Sequence, residues 1–236
     1  MALSFPNIQV GPEALACELD EAGYAIIPGL LTAAQCSDLS AAYDSGATQF
    51  RSRIDMARYN FGRGEYKYFN YPLPGLVEEL RAALYSLLAP IANSWNERLE
   101  QGHRWPATLP SFLKECHSAG QTRPTPLLLK YTAGDYNCLH QDLYGEIYFP
   151  LQVIVQLSDP GVDFEGGELM LVEQRPRMQS RGMVINTKQG DAAIIPVRER
   201  PRQGSRGFHR VAVRHGVSCV NEGQRFTLGI IFHDAR

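Results

Sequence analysis

His140 and Asp142 stand two residues apart at the end of the run Leu-Leu-Leu-Lys-Tyr-Thr-Ala-Gly-Asp-Tyr-Asn-Cys-Leu-His-Gln-Asp, which starts at Leu127. Two histidines and one carboxylate on one face of an ion, with coordination positions left open, make the ligand set of an O₂-activating non-haem Fe(II) site; the same donors can also hold Mn, Co, Ni or Zn. Residues i and i+2 of a strand point to one side, so His140 and Asp142 are expected to chelate as a pair. The third ligand must come from a distant segment. His209 and His215 are six apart and would share a strand face with Val211 and Val213. A hairpin through Asn221-Glu-Gly would bring Arg225 back beside His215, whereas from His209 the excursion is longer. His215 is therefore preferred, with His209 as the alternative. The Arg225 guanidinium fork can hold the carboxylate of an acidic co-substrate by two parallel hydrogen bonds. Arg214, its rival, alternates away from His215.

These side chains need a scaffold. The first 124 residues read as mainly helical. Pro12 to Ala22 has apolar residues at helical spacing, Tyr24-Ala-Ile-Ile-Pro reads as a strand, and Thr32 with Gln35 is a capping-box pattern for a helix that Gly46 can stop. Arg51 to Tyr71 contains two glycines and reads as a loop or hairpin. Leu76 to Leu99 is the longest helical pattern, with a break expected at Pro90. A short helix is expected over Leu109 to Ser118, its Cys116-His117 pair simply packing. From Leu127 the period changes to two, with strands at Leu127–Tyr131, Ile147–Leu157, Glu168–Val172, Met183–Asn186, Ala192–Val197, Phe208–His215 and Arg225–His233. Many short strands separated by glycine turns imply an α+β, mainly β fold: a sandwich or rolled barrel over residues 125–236, with the N-terminal helices on its outer face, in one domain over 1–236. Asp191 and Glu168 read as turn residues, His233 as a strand residue, and Gln141 as pointing away from its neighbours.

Composition narrows the class. The chain is 44% hydrophobic and 20% charged with net charge −2, which fits neither a disordered chain nor a generally basic nucleic-acid binder. The charge is uneven. From Val172 to His215 ten Arg/Lys face three acids, a local +7 against −9 for the remainder. Such a cationic face suits a polyanionic or carboxylate partner. Five cysteines without a CxxC, no charged-then-apolar N-terminal pattern and no apolar run of membrane-spanning length lead to the expectation of a reduced, cytoplasmic protein.

His140-Gln-Asp, Phe164-Glu-Gly-Gly-Glu-Leu, Gly190-Asp-Ala and the stretch from His215-Gly-Val through Arg225-Phe-Thr together resemble the Fe(II)/2-oxoglutarate-dependent dioxygenases, with a prolyl-hydroxylase-like C-terminal signature over about residues 125–235. Phe61-Gly-Arg-Gly-Glu-Tyr, Arg123-Pro-Thr-Pro-Leu, His140-Gln-Asp-Leu-Tyr-Gly and Ile230-Ile-Phe-His-Asp-Ala extend the resemblance to a bacterial family of such oxygenases described as acting on alkylated DNA. The resemblance implies a double-stranded β-helix (jelly-roll, cupin-like) core and Fe(II) on His140, Asp142 and His215. It further implies 2-oxoglutarate held by Arg225 with help from Thr227 and Tyr131, and O₂ as oxidant. It also implies C–H hydroxylation coupled to decarboxylation to succinate.

The substrate divides the expectations. An oxidative demethylase of DNA would place the Arg-rich loops 174–182 and 198–206 on phosphates and use Tyr66, Tyr68 and Phe69 to hold an extruded base. A hydroxylase of a protein side chain or small metabolite fits the prolyl-hydroxylase-like motif and the absence of overall basic charge. A non-catalytic cupin-like binding protein would have no need of His140, Asp142, His215 and Arg225 together.

Overall fold

The computed structural model describes residues 8–236, so the first residues of the proposed 1–124 helical support and of the N-terminal targeting argument lie outside it. In chain order the elements are α1 (Pro12–Glu21), β1 (Ala25–Ile27), α2 (Ala33–Ala42), β2 (Phe50–Asp55), β3 (Gly62–Arg63), β4 (Glu65–Phe69), α3 (Gly75–Arg98) and α4 (Leu109–Ser118). There follow β5 (Leu127–Thr132), β6 (Tyr136–His140), β7 (Leu151–Gln156), β8 (Phe164–Gly166), β9 (Leu169–Gln174), β10 (Arg181–Ile185), β11 (Ala192–Pro196), β12 (Glu199–Gly204), β13 (Gly207–Val217) and β14 (Val220–Ile230). One sheet runs β1-β11-β7-β14-β5-β4-β2 with β8 beside β14, the other β10-β9-β13-β6-β3 with β12 beside β13. All pairs between these strands are antiparallel. This is the expected α+β, mainly β jelly-roll with helices on one outer face.

Period-two alternation divides the central strands between helix packing and the interior of the roll. On β7, Leu151, Val153 and Val155 join the main core, while Gln152 and Ile154 face the cavity; on β14, Leu228 and Ile230 take the first role and Arg225, Thr227 and Gly229 the second. The helices supply the matching apolar faces. In α3, Val77, Leu80, Leu84, Leu88, Ile91 and Trp95 recur at three- and four-residue intervals, and all are buried against the sheet. The Thr32–Gln35 capping box that starts α2 is complete, with side-chain to backbone bonds in both directions.

Four expectations need correction. The N-terminal half is not merely helical support, because β1 to β4 extend both sheets. Helix α3 is not broken at Pro90; it continues to Arg98. Pro90 lies on the exposed face, where water can satisfy the carbonyl that loses its N–H partner, and the buried residues flanking it keep both halves in line. Helix α2 ends at Ala42, before Gly46. Finally, β13 and β14 do not form a hairpin around Asn221-Glu-Gly. They belong to opposite sheets, joined across Ser218-Cys219, and the turn-like glycine Gly223 lies inside β14 where that strand meets β8.

Candidate active site

Strand β6, which carries His140, is largely exposed and has no apolar alternation to mark its extent in the sequence. It pairs with β13 so that His140 lies directly opposite His215, and a register shift follows between His215 and Val217. A bulge of this kind turns the strand locally and re-aims a side chain. The strand ends at His140, so Asp142 is not the second member of a strand pair as expected; it sits in the following loop. What aims it is Gln141, whose Nε2 donates to the carbonyls of Arg198 (2.9 Å) and Val213 (2.8 Å). With Gln141 tied to these two carbonyls, the loop is fixed and Asp142 faces the two histidines.

Ligand atoms of His140, Asp142 and His215 all lie within 4.8 Å of one another. His140 Nε2 is 3.6 Å from Asp142 Oδ1 and His215 Nε2 is 3.3 Å from Asp142 Oδ2. The Nδ1–H of His140 donates to the Cys138 carbonyl at 2.8 Å, which fixes the tautomer and leaves Nε2 free for a metal. The Tyr144 hydroxyl donates to Asp142 Oδ1 at 2.8 Å, and the Gln152 amide lies 3.3–3.4 Å from both His215 ring nitrogens. Burial alone would raise the Asp142 pKa. The hydrogen bond and charge of His215, with His140 and Tyr144, outweigh it and hold the carboxyl below the usual range. Burial and the neighbouring His215 push the His140 pKa down, toward the neutral form that binds metal.

The triad opens into a cavity of about 370 Å³. On its β14 wall Arg225 is only 2% exposed, and neither an ion pair nor a hydrogen-bond partner for its Nε exists among the described residues. The aromatic faces of Tyr131 and Phe164, 5.7 and 5.8 Å from the guanidinium carbon, are its cationic support. Burial lowers its pKa to about 10, so the side chain remains a cation at neutral pH. The backbone opposite comes close enough that a Cβ on Gly167, at φ +63°, would lie 3.1 Å from Arg225 Cδ. Thr227 and Tyr131 line the same cavity, and the Tyr131 hydroxyl accepts from Asn137 at 3.3 Å.

His140, Asp142, His215, Arg225, Thr227 and Tyr131 are therefore brought together in one cavity. His209 is not. It sits in the β12–β13 hairpin opposite Arg202, six residues and roughly 20 Å along the strand from His215. Arg214 is exposed, as its alternation required. Asp191 accepts from the backbone N–H groups of Gly29 and Lys188, a turn-stabilising role. His117 does more than pack: its Nε2 is 2.9 Å from the buried Asp234. His233 is buried outside the cavity lining, its Nδ1 accepting from the Phe149 N–H. The assignment of base-holding aromatics changes. Tyr68 and Phe69 are 6% and 0% exposed and belong to the core, and Tyr66 is a cavity wall. The expected loop 198–206 is largely strand β12, and three of the candidate arginines are committed internally: Arg200, Arg202 and Arg175 lie 2.6, 3.4 and 3.5 Å from Glu173. Gln141, Tyr144 and Gln152 carried no distinctive sequence signal beyond Tyr144 standing two residues after Asp142.

Residues 64–235 match a family described as an oxygenase catalysing oxidative methylation of damaged DNA. That match spans well over half of the chain. The chain belongs to this oxygenase family. An uncharacterised Mycobacterium tuberculosis protein, found in strain H37Rv and in strain CDC 1551, is 51% identical to the oxygenase over 167 residues, 71% of this chain and 72% of the relative. Solved structures share its fold at low identity. A Trichoplax adhaerens prolyl hydroxylase, solved with a hypoxia-inducible-factor peptide fragment, gives a TM-score of 0.58 at 16% identity over 94% of this chain and 89% of that one. A Pseudomonas putida prolyl-4-hydroxylase gives 0.52 at 13% identity over 95% and 99%. Among the described residues of the oxygenase, no helix is long and apolar enough to cross a membrane.

Proposed function

We propose that the chain is an Fe(II)- and 2-oxoglutarate-dependent dioxygenase that removes methyl groups from alkylated bases in DNA. The observation that carries the cofactor reading is Arg225. A buried guanidinium without a carboxylate partner among the described residues is costly to the fold and suits a site whose anion arrives with a ligand. That cation shares one cavity with a His₂-carboxylate cluster, the donor set suited to Fe(II) with open positions. His140, Asp142 and His215 would hold the metal, Arg225 and the Thr227 hydroxyl the distal carboxylate of 2-oxoglutarate, and Tyr131 a co-substrate oxygen. Iron and 2-oxoglutarate, when bound with O₂, supply the oxidant that replaces a substrate C–H by C–OH as the co-substrate is converted to succinate and CO₂.

The protein's own part is positioning and exclusion of water. Cys138 and Gln152 orient the two imidazoles, while Tyr144 and Gln141 orient the carboxylate. Leu127, Leu129, Ile154, Leu169 and Ile231 give the cavity a largely apolar wall. The DNA substrate rests on the family description. Hydroxylation of an N-methyl group gives a carbinol that collapses to formaldehyde and the unmethylated base. An oxygenase can remove a methyl this way but has no donor with which to install one, so we read the damaged-DNA chemistry as oxidative demethylation. Arg177 and Arg181 in the β9–β10 connection and at the start of β10, and Arg198 and Arg206 just before and just after β12, remain exposed to meet phosphates.

The first test is anaerobic: Fe(II) and then 2-oxoglutarate are added while the visible spectrum is recorded. A weak charge-transfer band requiring both, and lost in Asp142→Ala, is expected; its absence in folded, metal-loaded protein would return the chain to the non-catalytic binding class. Formaldehyde release from N-methylated oligonucleotides, with affinity falling steeply as salt rises, then tests the substrate. Succinate formation with a peptide or metabolite and none with alkylated DNA would select the side-chain or metabolite hydroxylase instead.

A further inference from the structure

The segment Arg58-Tyr59-Asn60-Phe61-Gly62-Arg63 sets two aromatics between two arginines at the mouth of the cavity. Tyr59 and Phe61 stack on one another, ring centroids 5.6 Å apart and planes 19° from parallel, yet they are 54% and 47% exposed. Asn60 and Phe61 border the cavity itself. Exposed stacked aromatics on a loose loop would carry little meaning, but this segment is fixed. Its Met56 end is fully buried beside Tyr131 and Val217. At its other end β3 pairs with β6, the strand that ends at His140, and Cys138 N–H donates to the Phe61 carbonyl at 2.8 Å. Gly62 permits this approach: at φ +131° a Cβ there would lie 2.3 Å from the Tyr136 carbonyl oxygen. The rings are thus held in fixed register with the triad. Arg58 and Arg63 flank them, both exposed, Arg58 in an exposed pair with Asp55 at 3.4 Å.

Resting on the DNA reading above, we propose that Tyr59 and Phe61 form a stacking platform for the nucleobase next to the one presented to the metal. Arg58 and Arg63 lie against the phosphates on either side. Aromatic faces with interleaved cations are how single-stranded nucleic acid is gripped without reading its sequence, and such stacking accepts any base. The platform makes single-stranded or locally opened DNA the substrate form, with one neighbour base required.

The test is anisotropy of a labelled single-stranded oligonucleotide carrying one N-methylated base, with the full chain loaded with Mn(II) and 2-oxoglutarate. A second probe is identical except for abasic sites on both sides of the methylated base. Wild type should bind the intact probe about tenfold more tightly than the abasic one, and Tyr59→Ala and Phe61→Ala should lose about that factor on the intact probe. On the abasic probe both variants should bind like wild type. Arg58→Gln and Arg63→Gln should each flatten the dependence of log affinity on log salt by about 0.7. Variants that bind the intact probe like wild type, or that lose equally on both probes, overturn the platform while leaving the DNA reading in place. The same holds if the aromatic variants weaken only a proline-containing peptide, which would assign the rings to a protein partner. Wild type that binds neither oligonucleotide overturns the DNA reading and the platform together.

Discussion

At the scale of single residues, Arg225 ties stability and function together with opposite signs. Its charge is buried without an acid in contact among the described residues, so replacing it by an apolar side chain of similar length removes a desolvation cost. Arg225→Met is expected to raise unfolding stability by about 1–3 kcal/mol in urea titrations. The same variant, and Arg225→Ala, should need about tenfold to a hundredfold more 2-oxoglutarate for half-maximal succinate formation, because a charge-assisted two-point contact is lost. An unchanged requirement would move the carboxylate clamp elsewhere. The ligand assignment has an equally direct check. His140→Ala, Asp142→Ala and His215→Ala should abolish turnover, whereas His209→Ala, in the β12–β13 hairpin away from the cavity, should retain measurable activity. An inactive His209→Ala beside an active His215→Ala would reverse it.

At the scale of elements, the site is a meeting of two sheets, with a short loop set by a glutamine tied to the main chain of neighbouring segments. Gln141 holds that loop by two hydrogen bonds to main-chain carbonyls of separate segments. Gln141→Ala should cost about 1–3 kcal/mol of stability and weaken metal affinity about tenfold or more, read by competitive metal titration, although the residue never meets the metal. Loss of stability with metal affinity intact would separate the loop from the site. The elements also show what was legible beforehand. Strands β7 and β14 announce themselves by apolar alternation, because one face packs on helices, and β11 by a continuous apolar run buried on both faces. His140, Asp142 and His215 could be picked out because their types and spacing suit a metal, Arg225 because a guanidinium suits a carboxylate, and Thr227 only through the family resemblance. The bounds of the strand carrying His140 are not legible in the sequence, since β6 is defined by its partners β3 and β13 and not by its own burial. Continuity through Pro90 depends on tertiary packing that no local rule supplies. Asn221-Glu-Gly223 has turn chemistry and so predicts a hairpin where β13 crosses to β14; in the fold Gly223 instead serves the close approach of β8.

At the scale of the whole molecule, the C-terminal segment fastens the sheet to its helices and gives folding a definite pH dependence. Arg81 on α3 donates to the carbonyls of Ile231 and Phe232 and pairs with Asp234 at 2.8 Å, both side chains fully buried. Between these groups and Tyr144 lies His233, whose pKa burial lowers to about 4, with the Arg81 charge acting in the same direction. The folded chain therefore keeps His233 neutral where the unfolded chain takes up a proton. Above about pH 6.5 both forms are neutral and stability is independent of this group. As pH falls from there toward 4, protons bind preferentially to the unfolded chain, and roughly 3 kcal/mol of stability is lost. His140, also lowered by burial, adds to the same slope. Below that window the depressed Asp142 carboxyl continues the loss. Urea unfolding from pH 7.5 to 4.5 in the presence of chelator, so that metal release makes no contribution, should show stability declining through this range. His233→Gln should be less stable at pH 7.5 through the loss of a fitted ring, yet decline less steeply, so that the two curves converge toward acid. Parallel curves would place the acid sensitivity on the other buried groups, with His140 the first to replace.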